Sequence, residues 1–146
     1  ETGITDIQCA LALSQLKKLD VFTGRRRQIS SLYHKGISSI PNISSAQPSS
    51  CVGQSSHHLY VVRVEYEKLT TSRSSLMMRL RGLGIGTQVH YIPIPMHPYY
   101  MRLGHDMSKL PNALAYYSEC LSLPIYFKLS DIEVGYILDS ISSLVE

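Results

Sequence analysis

Apolar residues occupy nearly every face of the first predicted helix. Thr5 and Gln8 have the spacing of a capping box, in which the threonine oxygen accepts from a free amide and the glutamine reaches back. The apolar residues behind this cap are Ile7, Cys9, Ala10, Leu11, Ala12, Leu13, Leu16 and Leu19. Because a helix that is apolar all round is normally a buried one, we expect this helix to be buried, as in the interior of a longer protein.

The next two stretches differ sharply in pattern. Residues 20–37 are amphipathic, which predicts either one long helix or two helices with a bend at Gly24. Residues 38–56 are rich in serine and also contain proline and glycine, so they predict a loop. One short strand is possible within this loop, around residues 51–52.

The middle of the chain predicts two strands with a helix between them. Residues 58–66 are dense in β-branched and aromatic side chains and predict a central strand. Thr70 or Thr71 then caps a helix that stops at the glycines of residues 82–86, where we expect a left-handed C-terminal cap and a tight turn. A second strand is predicted over residues 87–92.

A loop rich in proline and tyrosine follows to about residue 110, and Pro111 suits the first position of a helix over residues 112–120. Ser130 and Glu133 form a second capping box, which opens the final helix. Strands separated by helices of this size predict a two-layer α/β fold, with a small sheet and helices packed mainly on one face.

Length and composition fit one globular domain. The chain has 146 residues, of which 44% are apolar and 17% are charged, as in ordinary soluble proteins. No stretch approaches the roughly 20 apolar residues of a membrane span. Since no secretory leader pattern is present, we expect a cytoplasmic protein.

Cysteine and histidine placement argues against a disulfide framework or a metal site. Cys9, Cys51 and Cys120 are odd in number and widely separated, which favours plain thiols in a reducing compartment. His57 and His58 are adjacent on a predicted strand, so their side chains point to opposite faces and cannot both bind one ion in regular geometry. We expect no metal.

Charge gives little sign of a nucleic-acid partner. The net charge is only +3, and the one dense basic run is Arg25-Arg26-Arg27. Because no aromatic residues are interleaved with these arginines, we interpret the run as a solvated helix face.

Candidate binding chemistry is concentrated where the second predicted strand meets the proline-tyrosine loop. Imidazole and phenol rings there could hydrogen-bond and stack on a polar ring ligand such as a nucleotide-sugar. The candidate substrate-binding residues are His90, Tyr91, His97, Tyr99 and Tyr100. The alternative is a loop whose tyrosines only cover the core.

Five strings of residues occur together in a characteristic order. They are TDIQCALALSQLKKLD at residues 5–20, RRR at 25–27, HLYV at 58–61, GLGIGT at 82–87 with HY at 90–91, and LSLPIY at 121–126. In this combination the chain closely resembles the C-terminal part of the DegT/DnrJ/StrS family, the pyridoxal-phosphate-dependent aminotransferases of sugar-nucleotide pathways. The resemblance covers essentially the whole chain.

The resemblance implies a fold-type I aminotransferase that works as a homodimer. A large domain would hold pyridoxal 5'-phosphate on a lysine, and a smaller C-terminal domain would close one wall of the active site. Such enzymes transfer an amino group, commonly from glutamate, to a nucleotide-linked keto-sugar for polysaccharides, surface glycans or antibiotics. Residues 1–37 would then be a helical segment linked to the large domain, and residues 38–146 the small α/β domain.

The resemblance also implies that this chain holds no catalytic residue and no cofactor by itself. The cofactor lysine, the carboxylate that pairs with the pyridinium nitrogen and most phosphate contacts belong to the region before the match. The lysines of this chain, Lys17, Lys18, Lys35, Lys68, Lys109 and Lys128, lie outside that context. Glu1-Thr2-Gly3 replaces the family's Asn-Tyr-Arg-like tripeptide, whose asparagine is implicated at the neighbouring subunit's cofactor phosphate.

Three hypotheses follow. The first is the small domain of a sugar-nucleotide aminotransferase, inactive without its large domain. The second is a non-catalytic remnant or split-gene product that keeps only a folding or dimerisation role. The third is an independent module that binds a small ligand such as a nucleotide-sugar.

Overall fold

The computed structural model of the chain describes residues 3–48, 50 and 53–145. Its helices are α1 (Asp6–Leu16), α2 (Leu19–Ile37), α3 (Arg73–Gly82), α4 (Pro98–Arg102), α5 (Pro111–Glu119) and α6 (Asp131–Val145). Its strands are β1 (Ile43–Ser45), β2 (Tyr60–Val64) and β3 (Cys120–Leu123). The strands form one antiparallel sheet in the order β1-β2-β3, so β2 is central as its sequence predicts.

One face of this sheet forms the core. Tyr60, Val62 and Val64 of β2 share that face, and with β3 they pack into a cluster with buried residues of α2, α3 and α6. The Tyr33 ring of α2 stacks on Tyr60 at 4.9 Å between centroids, and its hydroxyl donates to the Pro124 carbonyl at 2.8 Å. Burial raises the pKa of Tyr33 above its ordinary value. The predicted two-layer α/β fold is confirmed.

Both capping boxes are present. The Thr5 amide donates to Gln8 Oε1 at 2.9 Å, and the Gln8 amide donates to Thr5 Oγ1 at 3.4 Å. At α6 the Ser130 amide donates to Glu133 Oε2 at 2.7 Å, and the Glu133 amide donates to Ser130 Oγ at 3.2 Å. The helix predicted after Thr70 or Thr71 is instead capped by Ser72, because the Ser72 hydroxyl accepts from a first-turn amide.

The first helix is exposed in this chain. No residue of α1 is buried, and Ile7 is 83% exposed. The core of this chain is built from α2 onward and includes no residue of α1, so burial of α1 within a longer protein stays a prediction. The break between α1 and α2 falls at Lys17 and Lys18, and α2 continues through Gly24.

One strand prediction is wrong, and one strand was not predicted, for different reasons. Over residues 87–92 only Gln88 pairs with the sheet, at Ser122, and the chain then leaves the sheet at Pro93, which opens a 3-10 turn. Residues 120–123 form β3 without having been predicted as a strand. All four are buried, so they lack the alternation that marks a strand with one exposed face. The strand suggested around residues 51–52 lies outside the described residues, and β1 lies earlier.

The arginine run is only partly the solvated face that its sequence predicts: Arg27 is exposed, whereas Arg25 and Arg26 are half-buried. Each guanidinium crosses from α2 to a neighbouring loop and donates to a backbone carbonyl. The acceptors are Leu129 for Arg25, Ser56 at 2.8 Å for Arg26, and Ser55 at 3.1 Å for Arg27. Arg25 also pairs with Asp131 at 2.8 Å, which ties α2 to the start of α6.

Candidate substrate-binding site

The sheet face opposite the core carries Arg63 and Ser122 among its side chains. Successive side chains of a strand point to opposite faces, which places Val61, Arg63 and Ser122 on this second face. Arg63 Nη2 lies 2.7 Å from the Glu119 carboxylate, so β2 is joined to the end of α5. Gln88 adds to this edge of the sheet, because its amide donates to the Ser122 carbonyl at 3.2 Å and its carbonyl accepts from the Ser122 amide at 2.8 Å.

His90 is attached to this second face through its ring. Its Nδ1 lies 2.8 Å from Ser122 Oγ, and the residue is half-buried. The peptide bond to Tyr91 is cis, and the two rings meet edge to face with centroids 4.6 Å apart. Tyr91 itself is 74% exposed. His90 is therefore fixed on the protein side, and Tyr91 faces outward beside it.

His97, Tyr99 and Tyr100 lie together on the short helix α4. His97 is its N-cap residue, and Tyr99 is 60% exposed. The Tyr99 and Tyr100 rings meet nearly perpendicularly at 5.3 Å, and Tyr100 also contacts the His105 ring at 5.7 Å. Sequence reasoning missed His105, although its spacing of five residues from Tyr100, across the end of α4, could have pointed to it.

The predicted residues thus form two ring groups, one of His90 with Tyr91 and one on α4. Among the residues that the structure describes, no ring contact joins the groups. Exposed apolar side chains lie in the same part of the chain: Ile92, Ile94, Met101 and Leu103. This combination can stack on a ring, hydrogen-bond to it and shield it from water.

A cleft of about 570 Å³ opens beside the Gln88 pairing. Its walls come from α3 and from residues 86–88, and its polar groups include Arg81, Thr87 and Gln88. The sequence indicates a glycine-rich turn and the start of a strand in this stretch, but not a cleft. The cleft is therefore lined by the Arg81 guanidinium and the Gln88 side-chain amide, and Gln88 precedes His90 by two residues.

The lysines of the described residues do not have the surroundings that covalently bound pyridoxal phosphate needs. All of the lysines lie exposed, whereas a lysine that carries pyridoxal phosphate needs a desolvated site that depresses its pKa. Across residues 3–48, 50 and 53–145, no three His, Cys, Asp or Glu side chains come together in a group that could hold a metal. In the same residues, no helix has both the length and the apolarity to cross a bilayer.

The sequence matches the model of the DegT/DnrJ/EryC1/StrS aminotransferase family over residues 1–142. The chain belongs to this family. Proteins similar to this chain include a spore coat polysaccharide biosynthesis protein of Bacillus subtilis, 36% identical over 143 residues, or 97% of this chain. A UDP-4-amino-4,6-dideoxy-N-acetyl-β-L-altrosamine transaminase of Campylobacter jejuni is 31% identical over 143 residues, or 98% of this chain.

Solved structures agree with the family assignment. A sugar aminotransferase of Streptococcus pneumoniae matches 98% of this chain with a TM-score of 0.86 and 33% identity. It has been solved in its PMP, PLP and apo forms, in keeping with a pyridoxal-phosphate-dependent family. The structural neighbours are fold-type I aminotransferases. The chain spans only 36% and 37% of the length of the two curated relatives, and 35% of the Streptococcus chain.

Proposed function

We propose that this chain is the C-terminal small-domain part of a pyridoxal-phosphate-dependent enzyme that transfers an amino group to a nucleotide-linked keto-sugar. The products would serve polysaccharide or surface-glycan synthesis. The observation that carries the proposal is the match of nearly the whole chain to a named UDP-amino-sugar transaminase and to a polysaccharide biosynthesis protein. The family's chemistry requires a cofactor that carries the amino group between donor and acceptor.

The substrate-binding wall of this proposal consists of His90, Tyr91, His97, Tyr99 and Tyr100. Two features support it. His90 is held to the sheet through one ring nitrogen, and the tyrosines present exposed faces. A sugar or base ring can stack on such faces, and imidazole and phenol groups can bind its hydroxyls.

We propose that a large domain, on the same or a separate chain, supplies the cofactor lysine, and that the assembled enzyme is a cytoplasmic homodimer. All of the lysines of this chain are exposed, which supports a cofactor lysine that comes from the large domain. So does the unburied α1, which lies in the proposed linking segment 1–37, before the small domain proposed at 38–146. In this proposal the chain alone binds no cofactor and transfers no amino group.

Complementation tests the proposal directly. The part of the Campylobacter transaminase that precedes its matched region would be produced with this chain, either fused or as a separate polypeptide. We expect the assembled complex to show the absorbance band of bound pyridoxal phosphate and to transfer an amino group from glutamate to the keto-sugar substrate. Tyr99→Ala in this complex should raise KM more than it lowers kcat.

The same upstream part with its own C-terminal region is the positive control, and the upstream part alone is the negative control. An assembled complex that binds pyridoxal phosphate but transfers nothing would sink the proposed function. Saturable binding of a nucleotide-sugar by this chain alone, measured by calorimetry, would favour an independent binding module instead.

A further inference from the structure

We infer that Ser122 holds His90 in the neutral tautomer protonated at Nε2, so that an N–H donor faces the proposed substrate. This position would then recognise an oxygen acceptor of the nucleotide-sugar, such as a phosphate, carbonyl or hydroxyl oxygen. The identity of the ligand rests on the proposed function, whereas the tautomer rests on contacts within this chain. Ser122 is thus a positioning residue that acts through His90.

Backbone pairing sets the distance between the two side chains. Ser122 exchanges both of its backbone hydrogen bonds with Gln88, at 2.8 and 3.2 Å. Residues directly opposite each other in an antiparallel pair share a face of the sheet, so the side chains of Gln88 and Ser122 lie on the same face. His90 follows Gln88 by two residues and therefore points to that face as well, where its ring reaches Ser122 diagonally. The resulting distance of 2.8 Å between Nδ1 and Oγ is that of a well-formed hydrogen bond.

The direction of this hydrogen bond follows from the burial of the serine. Ser122 is 5% exposed, and among the described residues its hydroxyl has no other hydrogen-bond partner than His90. A buried hydroxyl hydrogen without an acceptor is costly, so the serine donates to Nδ1. A nitrogen that accepts this bond cannot carry a proton, and the neutral ring must then be protonated at Nε2.

Nε2 is available to a ligand. Within the described part of the chain it makes no hydrogen bond, and it is not among the buried polar atoms that lack a partner. The neighbouring Tyr91 ring lies edge to face with the imidazole and adds an exposed aromatic surface beside it. A donor next to a stacking surface suits the oxygen-rich edge of a sugar nucleotide.

Solid-state 15N NMR of the full chain labelled with 15N-histidine tests the tautomer, because the measurement does not depend on whether the chain associates. At about pH 8 imidazoles are neutral, and protonated and bare ring nitrogens resonate far apart. The His90 signals are those lost in His90→Asn. We expect a bare, hydrogen-bonded Nδ1 and a protonated Nε2. In Ser122→Ala the Nδ1 resonance should shift as its hydrogen bond is lost, and the Nδ1-protonated form should become populated.

Ser140→Ala is the matched control, because Ser140 is a similarly buried serine on α6, at 7% exposed, and should leave the His90 signals unchanged. Ser122→Thr, which keeps the hydroxyl, should restore the native pattern. A protonated Nδ1 in the unmodified chain would overturn the inference, and this result does not require Ser122→Ala to fold. If Ser122→Ala folds, identical His90 shifts in it and in the unmodified chain would also overturn the inference. A complex without amino transfer would overturn the proposed function alone, since no ligand enters the NMR measurement.

Discussion

Gly84 shows how one residue directs the chain from α3 to the candidate site. Its φ is 78°, in the left-handed region that favours glycine. The Gly84 amide donates to the Arg81 carbonyl at 3.0 Å, and the Ile85 amide donates to the Leu80 carbonyl at 2.9 Å, which is a Schellman motif. Leu80 and Ile85 both belong to the core, so the turn is also fixed by apolar packing.

At this scale we predict that Gly84→Ala lowers the free energy of unfolding by about 1–2 kcal/mol, because a side chain strains left-handed backbone. An added Cβ at Gly84 meets nothing within 4 Å, so the loss would come from the backbone alone. Urea unfolding followed by circular dichroism measures it. Gly82→Ala is the matched control, since it has equal space but lies at the end of α3 without a positive φ.

Gly82→Ala should be neutral or should stabilise the chain by up to about 1 kcal/mol, as alanine does in helices. Equal effects of the two substitutions would show that backbone conformation is not what selects glycine at position 84.

The capping box of α6 contains a carboxylate, whereas that of α1 contains a neutral amide side chain. The Glu133 carboxylate accepts from the backbone amide of Ser130 and from its hydroxyl, each at 2.7 Å. These two hydrogen bonds, the backbone one first, hold the pKa of Glu133 below its usual range. The charged carboxylate also lies in the first turn, where the helix dipole favours negative charge.

The cap should therefore depend on pH. Because the folded-state pKa is lowered, the stabilisation by Glu133 is complete above the unfolded-state pKa of about 4.3 and is lost as the pH falls through the lower folded-state value. We expect Glu133→Gln to lower the thermal midpoint at neutral pH, and the difference from the unmodified chain to shrink below about pH 4. Differential scanning calorimetry across this range measures it.

Glu67→Gln, at an exposed carboxylate in the short turn after β2 that makes no capping hydrogen bond, serves as the comparison and should leave the thermal midpoint at neutral pH nearly unchanged. A Glu133→Gln deficit that persists unchanged at acid pH would mean that the carboxylate charge is not what stabilises the start of α6.

On the scale of the whole molecule, the exposed apolar surface of α1 is the main departure from an ordinary monomer. Ile7, Leu11 and Leu16 are all exposed, and Leu13 is 61% exposed. Apolar groups arranged on all sides of a helix leave no polar face to meet water. Contiguous apolar surface of this kind normally marks an interface.

We predict that the chain self-associates when it is produced alone, and that Leu13→Asp weakens the association by at least about tenfold, the effect of removing one buried leucine from an interface. Multi-angle light scattering over a range of concentrations measures it. Ser14→Asp is the matched control, because it adds the same charge to the next, already polar position of α1. A single monomer peak from the unmodified chain at all concentrations would contradict the prediction.

The sequence by itself determined the features whose causes are local. The boxes at Thr5 and Ser130, the left-handed cap at Gly84 and the start of α5 at Pro111 each depend on side-chain and backbone geometry within a few residues. The strand at residues 60–64 could be predicted because its side chains are strongly β-prone. The family could be recognised because short strings persist in order. The five candidate site residues stay predictions.

Only the tertiary structure decided what depends on distant partners. Ser122 lies in a strand that pairs on both sides, whereas residues 87–92 look like a strand and pair only at Gln88. The Arg25 run binds loop carbonyls far along the chain, and its composition alone gave no sign of them. The contact of His90 with Ser122 joins residues 32 apart in sequence. The local pattern of residues indicates which backbone conformation a segment prefers. It does not indicate which distant strand or loop that segment will contact, because those partners come together only in the folded tertiary structure.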